Sequence, residues 1–499
     1  MRNSPADLSP AEFRAIGHDL VDRIAEFLDT VPDRPVAPDK SPHELRALIG
    51  GDNIAVPDHG ADPAGIVAGA TRLLVANSTF NGHPRFFGYI TASGSPIGAL
   101  ADLLGASVNP NVGAAALSPI ATEIEKQTVR WIAELIGYSP DCGGLLVSGG
   151  NMANMVCLNA AIRAQAGWDV RTSGVGAGAR LAIYASSEVH TWLQKAADLG
   201  GLGTDAVRSV AVDGSLAMDV ADLERRIAED RAAGWRPAVV VGTAGSVGTA
   251  AIDPLPEIAA ICARERLWFH VDGAYGAPAA ILADAPPALR AIALADSVAV
   301  DPHKWLYIPL EAGCALVRDR ETLHAAFSFH PAYFRFDGDA ADPPTNYHEL
   351  GPQNSRGFRA LKVWMTIRQV GRQGYVKMIG EDIALARELH GVAEAHEELE
   401  ALTQALSITT FRYVPREHRS RLGESATESY LNELNAAVLA KLQREGEVYL
   451  SNAIVGGRFA LRACIVNFRT SSKDVQALVE AAVRAGRELH AEMRGVGHS

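Results

Sequence analysis

Trp268-Phe269-His270-Val271 runs directly into Asp272-Gly273-Ala274, and Ser297-Val298-Ala299-Val300 runs into Asp301-Pro302-His303-Lys304-Trp305. Each is an apolar run of strand length that stops on polar, reactive side chains. Similar runs at 144–148, 181–185, 207–212, 238–243 and 314–317 alternate with helical stretches between about residues 94 and 320. Strands alternating with helices mean an α/β fold with a largely parallel central sheet and helices on both faces. In such sheets ligand-binding groups gather beyond the carboxyl ends of the strands. Asp272, Asp301, His303 and Lys304 therefore stand first among candidate functional residues. Ser187-Glu188-Val189-His190 follows another strand, and Ser148-Gly149-Gly150-Asn151 leads from a third into a helix.

Outside this core the pattern changes. Phe13, Ile16, Leu20, Val21, Ile24, Phe27 and Leu28 recur on one helical face, with Ser9-Pro10 as cap and first helical residue. Helices are also expected at 42–49 and Pro63–Asn77, with no local sheet to pack on, so residues 1–93 read as a helical dimerisation arm. Strand-like runs at 408–414, 448–451 and 459–466 flank a helix at 428–444, and a last helix starts at Ser472. These make a small C-terminal α+β domain, 376–499, joined through helices at 356–372 and 381–400 to a large domain, 94–375.

Composition removes several function classes. The net charge of -12, from 46 basic against 58 acidic residues, repels phosphate backbones and argues against nucleic-acid binding. No apolar run approaches the roughly 20 residues a membrane span needs. The N-terminus lacks the apolar stretch of a secretory signal, so a cytoplasmic location is expected. Five cysteines without a C-x-x-C pair argue against a disulfide framework and a thiolate metal site, and no metal is expected.

A strand-end aspartate is often only a cap, a histidine only a polar residue and Gly-Gly-Asn only a turn. Their co-occurrence carries the argument. Amides of a glycine-rich turn at a helix start bind phosphate, a carboxylate can hold a protonated pyridine nitrogen, and a lysine can link covalently to a carbonyl. Those are the parts a pyridoxal phosphate site needs. Of the eight lysines, Lys304 alone follows an apolar strand. Gly174-x-Gly176-x-Gly178 precedes a strand and lacks dinucleotide spacing, and no P-loop, H-E-x-x-H helix or G-x-S-x-G elbow occurs.

Asp301-Pro302-His303-Lys304-Trp305, Val271-Asp272-Gly273-Ala274-Tyr275, Ser187-Glu188-Val189-His190 and 118–125 together resemble the group II pyridoxal-phosphate-dependent amino-acid decarboxylases, the aromatic-L-amino-acid decarboxylase family. The likeness extends from His83-Pro84-Arg85-Phe86-Phe87-Gly88-Tyr89 to Phe358-Arg359-Ala360-Leu361-Lys362-Val363-Trp364. It implies the fold-type I PLP-dependent transferase architecture and a homodimer with shared active sites. By position, Lys304 would hold the cofactor, Asp272 would pair with its ring nitrogen, Ala274 and His190 would lie on opposite ring faces, and Gly150, Asn151, Thr243 and Asp301 would lie around it. His303 would reach phosphate or substrate carboxylate. Tyr333, within a segment resembling the family's mobile loop, would supply the proton that replaces CO2, and the polar stretch that follows suits a lid.

The resemblance places the substrate against Asn81, Tyr89, Ile90, Gly113, His303 and Ser355. Asn81 and Gly113 stand where aromatic decarboxylases carry tryptophan and phenylalanine, so a wider, less aromatic pocket is expected. Asn109 and Asn111 could serve a polar side chain, and no arginine nearby is reserved for a glutamate carboxylate. Asp301 replaces an asparagine found in several relatives, and Gly150 an alanine. The expected reaction is decarboxylation of an L-amino acid, most simply aromatic, to its amine. The alternatives are an aldehyde synthase, a transaminase, and a decarboxylase of the glutamate or histidine class.

Overall fold

The computed structural model describes residues 4–329 and 344–496. Seven strands form the main sheet: β1 Gly143–Val147, β2 Leu181–Ser186, β3 Val207–Val210, β4 Arg236–Thr243, β5 Trp268–Asp272, β6 Ser297–Val300 and β7 Gly313–Val317. Their order is β1-β7-β6-β5-β4-β2-β3, and only β7 runs antiparallel to its neighbours. The continuous apolar runs follow from burial on both faces. Val240, Phe269, Val298 and Leu316 face one core, which includes Ile132, Ile258 and Ile379, while Val239, Trp268, Ala299 and Ala315 face the other, which includes Val156 and Leu193.

The small domain carries β8 Leu399–Ala405, β9 Ile408–Tyr413, β10 Ser451–Val455 and β11 Arg458–Cys464 in the antiparallel order β10-β11-β9-β8. Leu434, Val438, Leu478 and Ala482, from the helices Ser425–Glu445 and Ser472–Val496, share its core. Two expectations are corrected here, while the expected pair of linking helices is present: the segment Arg359–Ala395 is two helices, broken at Gly371, whose φ of 64° only glycine adopts readily. The proposed division at 375 falls just after that break. The stretch 396–400, read as helix, turns into β8: pairing with β9 overrides the helix preference of Leu399-Glu400-Ala401. Residues 448–450 do not open β10; instead Phe87 N–H donates to Tyr449 C=O at 2.8 Å, and Cys464 N–H donates to Phe87 C=O at 2.9 Å. The N-terminal segment thus has a sheet partner at its end, although its helices Pro10–Thr30, Pro42–Leu48 and Pro63–Asn77 bury no residue within one chain.

Among the described residues no helix is long and apolar enough to cross a membrane.

Candidate active site

Parallel strands end at the same edge, so β1, β2, β4, β5 and β6 deliver their last residues side by side. Register pairs Thr243 with Asp272, and Asp272 with Ala299, just before Asp301. A cavity of about 590 Å³ opens there. Its walls include Gly150, Asn151, His190, Thr243, Asp272, Ala274, Asp301, His303 and Lys304, together with Tyr89 and Ile90.

Lys304 sits one tight turn beyond β6, its N–H donating to Asp301 C=O at 2.9 Å. Its Nζ lies 3.1 Å from Asp301 Oδ2. The chain after it is pinned: Trp305 Nε1–H and Tyr307 O–H both donate to the buried Asp382 Oδ2, at 2.9 and 2.6 Å. Burial pushes the Asp382 carboxyl up to about 7. The folded chain therefore keeps a proton that the unfolded chain releases near pH 4, and stability from this group is lost as pH rises from there through about 7. Asp382→Asn should lose less stability than the parent between pH 5 and pH 8, by about 1.4 kcal/mol per pH unit below 7. Urea denaturation at the two pH values measures this, and equal losses would refute it.

Asp272 is buried and held by two donors, Trp192 Nε1–H to Oδ2 at 2.7 Å and Ala274 N–H to Oδ1 at 3.2 Å. His190 Nδ1 accepts from Trp192 N–H at 3.2 Å, so its proton belongs on Nε2. Desolvation lowers its proton affinity below the usual range, and the ring is neutral at physiological pH. His303 Nδ1–H donates to Ala312 C=O at 2.7 Å, with Nε2 left 3.8 Å from Asp301 Oδ2.

The residues fit a phosphate-bearing pyridine. Gly149 takes φ 106° at the cap of the helix Gly150–Gln165, and no side chain makes a capping hydrogen bond there. Thr243 Oγ1 and Asp301 Oδ1 are buried polar atoms without a partner among the described residues; the hydroxyl can donate to a phosphate, whereas the carboxylate oxygen can only accept. Two departures noted in the sequence meet in space: a Cβ at position 150 would lie 2.5 Å from Asp301 Oδ2, so glycine gives the carboxylate room in the position it occupies. The ion pair with Lys304 offsets the negative charge of Asp301 near the helix start.

The cavity of one chain does not include Asn81, Gly113 or Ser355. Gly113 packs on the backbone beside Ser355: a Cβ there would lie 2.2 Å from Asn354 C=O. Asn109 and Asn111, read as possible substrate contacts, have structural work. Asn109 terminates the helix Pro96–Val108 in the left-handed region, and Asn111 Oδ1 accepts from Gly113 N–H at 3.1 Å and Arg356 N–H at 3.0 Å. Tyr333 lies outside the described residues.

Sequence reasoning missed Arg462. It projects from β11, is 2% exposed, and lines the cavity. Nε–H donates to Gly248 C=O at 3.2 Å and Nη1–H to Tyr89 C=O and Ser451 Oγ, both at 3.0 Å, while Nη2 has no partner. The signal was an arginine inside the apolar run Phe459-Ala460-Leu461-Arg462-Ala463, but nothing in that run shows which domain its side chain meets.

Residues 42–414 match the pyridoxal-dependent decarboxylase conserved domain. The chain is 30% identical over 469 residues to an aromatic-L-amino-acid decarboxylase of Bacillus atrophaeus, covering 94% of each. It is also 30% identical over 479 residues to a histidine decarboxylase of Drosophila melanogaster, covering 93% of this chain and 54% of that protein. The crystal structure of Oryza sativa TDC with PLP and tryptamine superposes with a TM-score of 0.89 at 26% identity, over 98% of this chain and 100% of that one.

Proposed function

Because this chain belongs to the pyridoxal-dependent decarboxylase family, and so is a pyridoxal-phosphate-dependent carboxy-lyase acting on an amino acid, we propose that its substrate is an L-amino acid with an aromatic side chain. The observation that carries the reading is the cation count of the cavity. Apart from Lys304, committed to the cofactor, Arg462 is the one lysine or arginine that lines it among the described residues. One guanidinium answers one carboxylate, and every amino-acid substrate brings its α-carboxylate. A glutamate side chain would bring a second, with no further lysine or arginine on the wall to meet it among the described residues. The aromatic decarboxylase name of the Bacillus relative and the tryptamine in the rice structure support the same class.

In this reading Lys304 holds the cofactor covalently, Asp272 faces its ring nitrogen, and His190 and Ala274 flank its faces. The first amides of the helix at Gly150 and Asn151, with the Thr243 hydroxyl, donate to the phosphate, while Asp301, an acceptor only, faces the Lys304 nitrogen. When bound, the cofactor supplies a conjugated sink for the electrons of the breaking Cα–carboxylate bond. Arg462 orients that carboxylate through its open Nη2 toward the position of greatest overlap, and the neutral His190 adds no charge that would compete with it. His303 lies beside the phosphate or the carboxylate, and Tyr333 remains the proposed proton donor to Cα.

Mass spectrometry of products from a mixture of tryptophan, phenylalanine, tyrosine, DOPA, histidine and glutamate tests this. The expected product is an amine lacking only CO2 from an aromatic member, and the corresponding methyl esters, without a carboxylate for Arg462, should not compete. Amine from glutamate or histidine, or aldehyde with peroxide, would overturn it.

We further propose that two copies complete each site. Leu100, Leu103, Leu104 and Val108 on one helix, with Leu117 and Ile120, are exposed in a single chain, as are Phe13, Ile24, Ile66 and Leu74 of the arm. Apolar surface on this scale marks an interface. Ser355, exposed and away from the cavity of its own chain, is the residue a partner would contribute, with the buried Gly113 packed behind it. Sedimentation equilibrium should return a two-chain mass; a monomer at assay concentration would refute the shared site.

A further inference from the structure

Trp192 begins the helix Trp192–Leu199, with its side chain 1% exposed. It touches two groups of the site at once, through its indole N–H to Asp272 Oδ2 at 2.7 Å and its backbone N–H to His190 Nδ1 at 3.2 Å. Behind it the indole meets His270 edge-on, with ring centroids 5.8 Å apart. His270, two residues before Asp272 on β5, has both nitrogens engaged, Nδ1 with Ser297 Oγ at 2.8 Å and Nε2 with Asn154 Oδ1 at 2.7 Å. Burial pushes its pKa down to about 4, so it remains a neutral dipole and brings no cation to draw Asp272 away. Asn154 Nδ2–H in turn donates to Gly150 C=O at 3.0 Å, which ties the helix start to the same buried network.

A carboxylate taken out of water keeps its charge and its aim only through the donors that replace hydration. Among the described residues Asp272 has two, and only the indole is a side chain. We propose that Trp192 is a positioning residue that holds the Asp272 carboxylate toward the cofactor's ring nitrogen, and thereby sets how strongly the ring accepts electrons. This rests on the reading of Asp272 given above. Trp192 forms part of the cavity wall, and the role proposed for it is exercised through Asp272 and His190.

Two substitutions separate the donor from the ring. Trp192→Phe keeps an aromatic ring and removes the N–H, whereas Trp192→Gln removes the ring and carries an amide N–H the same number of bonds from Cβ. The readouts are the dissociation constant of pyridoxal phosphate from the full-length protein and the absorption spectrum of the bound cofactor. Trp192→Phe should weaken binding about tenfold and shift the visible band, because a buried charge loses its strongest donor. Trp192→Gln should lie closer to the parent, and Trp192→Phe should add little in an Asp272→Asn background. A parent-like spectrum and affinity in Trp192→Phe, a Gln variant further from the parent than the Phe variant, or additive effects with Asp272→Asn would overturn the proposal. If Asp272→Asn alone leaves the spectrum unchanged, the assignment of Asp272 itself fails and this inference falls with it.

Discussion

Lys304→Ala is expected to lower kcat by at least about a thousandfold, because among the described residues no other lysine lines the cavity and the proposed covalent hold on the cofactor would be lost. The substitution has a second effect. It removes Nζ from Asp301 Oδ2, 3.1 Å away, and leaves a carboxylate whose side chain is 3% exposed without its cation. Loss of activity in the alanine variant alone could therefore reflect a disturbed phosphate end. Lys304→Arg resolves this, since it keeps a positive charge beside Asp301 but cannot make the covalent link. Both variants should be inactive, and the arginine variant should retain more thermal stability. Borohydride reduction followed by peptide mass analysis should place the cofactor on Lys304 in the parent and nowhere in either variant. Turnover in Lys304→Ala, or cofactor trapped on another lysine, would remove the chemistry proposed for this site.

Arg356→Met is expected to cost about 3–5 kcal/mol of stability, the largest effect on stability foreseen for a single residue. Arg356 and Glu125 form a fully buried pair, with side chains 1% and 0% exposed. Arg356 also donates to Leu146 C=O at 2.7 Å and Val112 C=O at 2.8 Å, while Leu146 N–H donates to Glu125 Oε1 at 2.9 Å. Removing the guanidinium strands a buried carboxylate and two backbone carbonyls, and each unmet group carries its own desolvation cost. Leu146 lies just before the turn 148–151, and Val112 is next to Gly113, so the same network fixes the turn proposed to bind the phosphate and a proposed substrate residue. Urea unfolding should show the loss in both the apo and cofactor-bound protein, and pyridoxal phosphate should bind more weakly to the variant. A loss below about 1 kcal/mol would mean that the pair contributes no more than a surface ion pair does.

The α/β order, the reactive strand ends, Lys304 and the cofactor were legible in the chain because each depends on local pattern. Apolar runs buried on both faces leave a continuous signature, and a parallel sheet brings their carboxyl ends to one edge without further information. Likewise Ser9 and Pro10 give the start of the first helix, since a cap is satisfied within one turn. β8 was misread because Leu399-Glu400-Ala401 prefers helix and becomes strand only when β9 is beside it. Arg462, Trp192 and Asp382 escaped for a related reason: their roles are contacts across long separations, 373 residues between Arg462 and Tyr89, 80 between Trp192 and Asp272 and 77 between Trp305 and Asp382. The coupling of Gly150 to Asp301 was written in the chain as two separate oddities and became one steric fact only in space. Periodicity, capping and turn chemistry act over a few residues and can be read in order along the chain. The burial of a charge and the donor that meets it depend on which distant segments pack together, and folding alone supplies those neighbours.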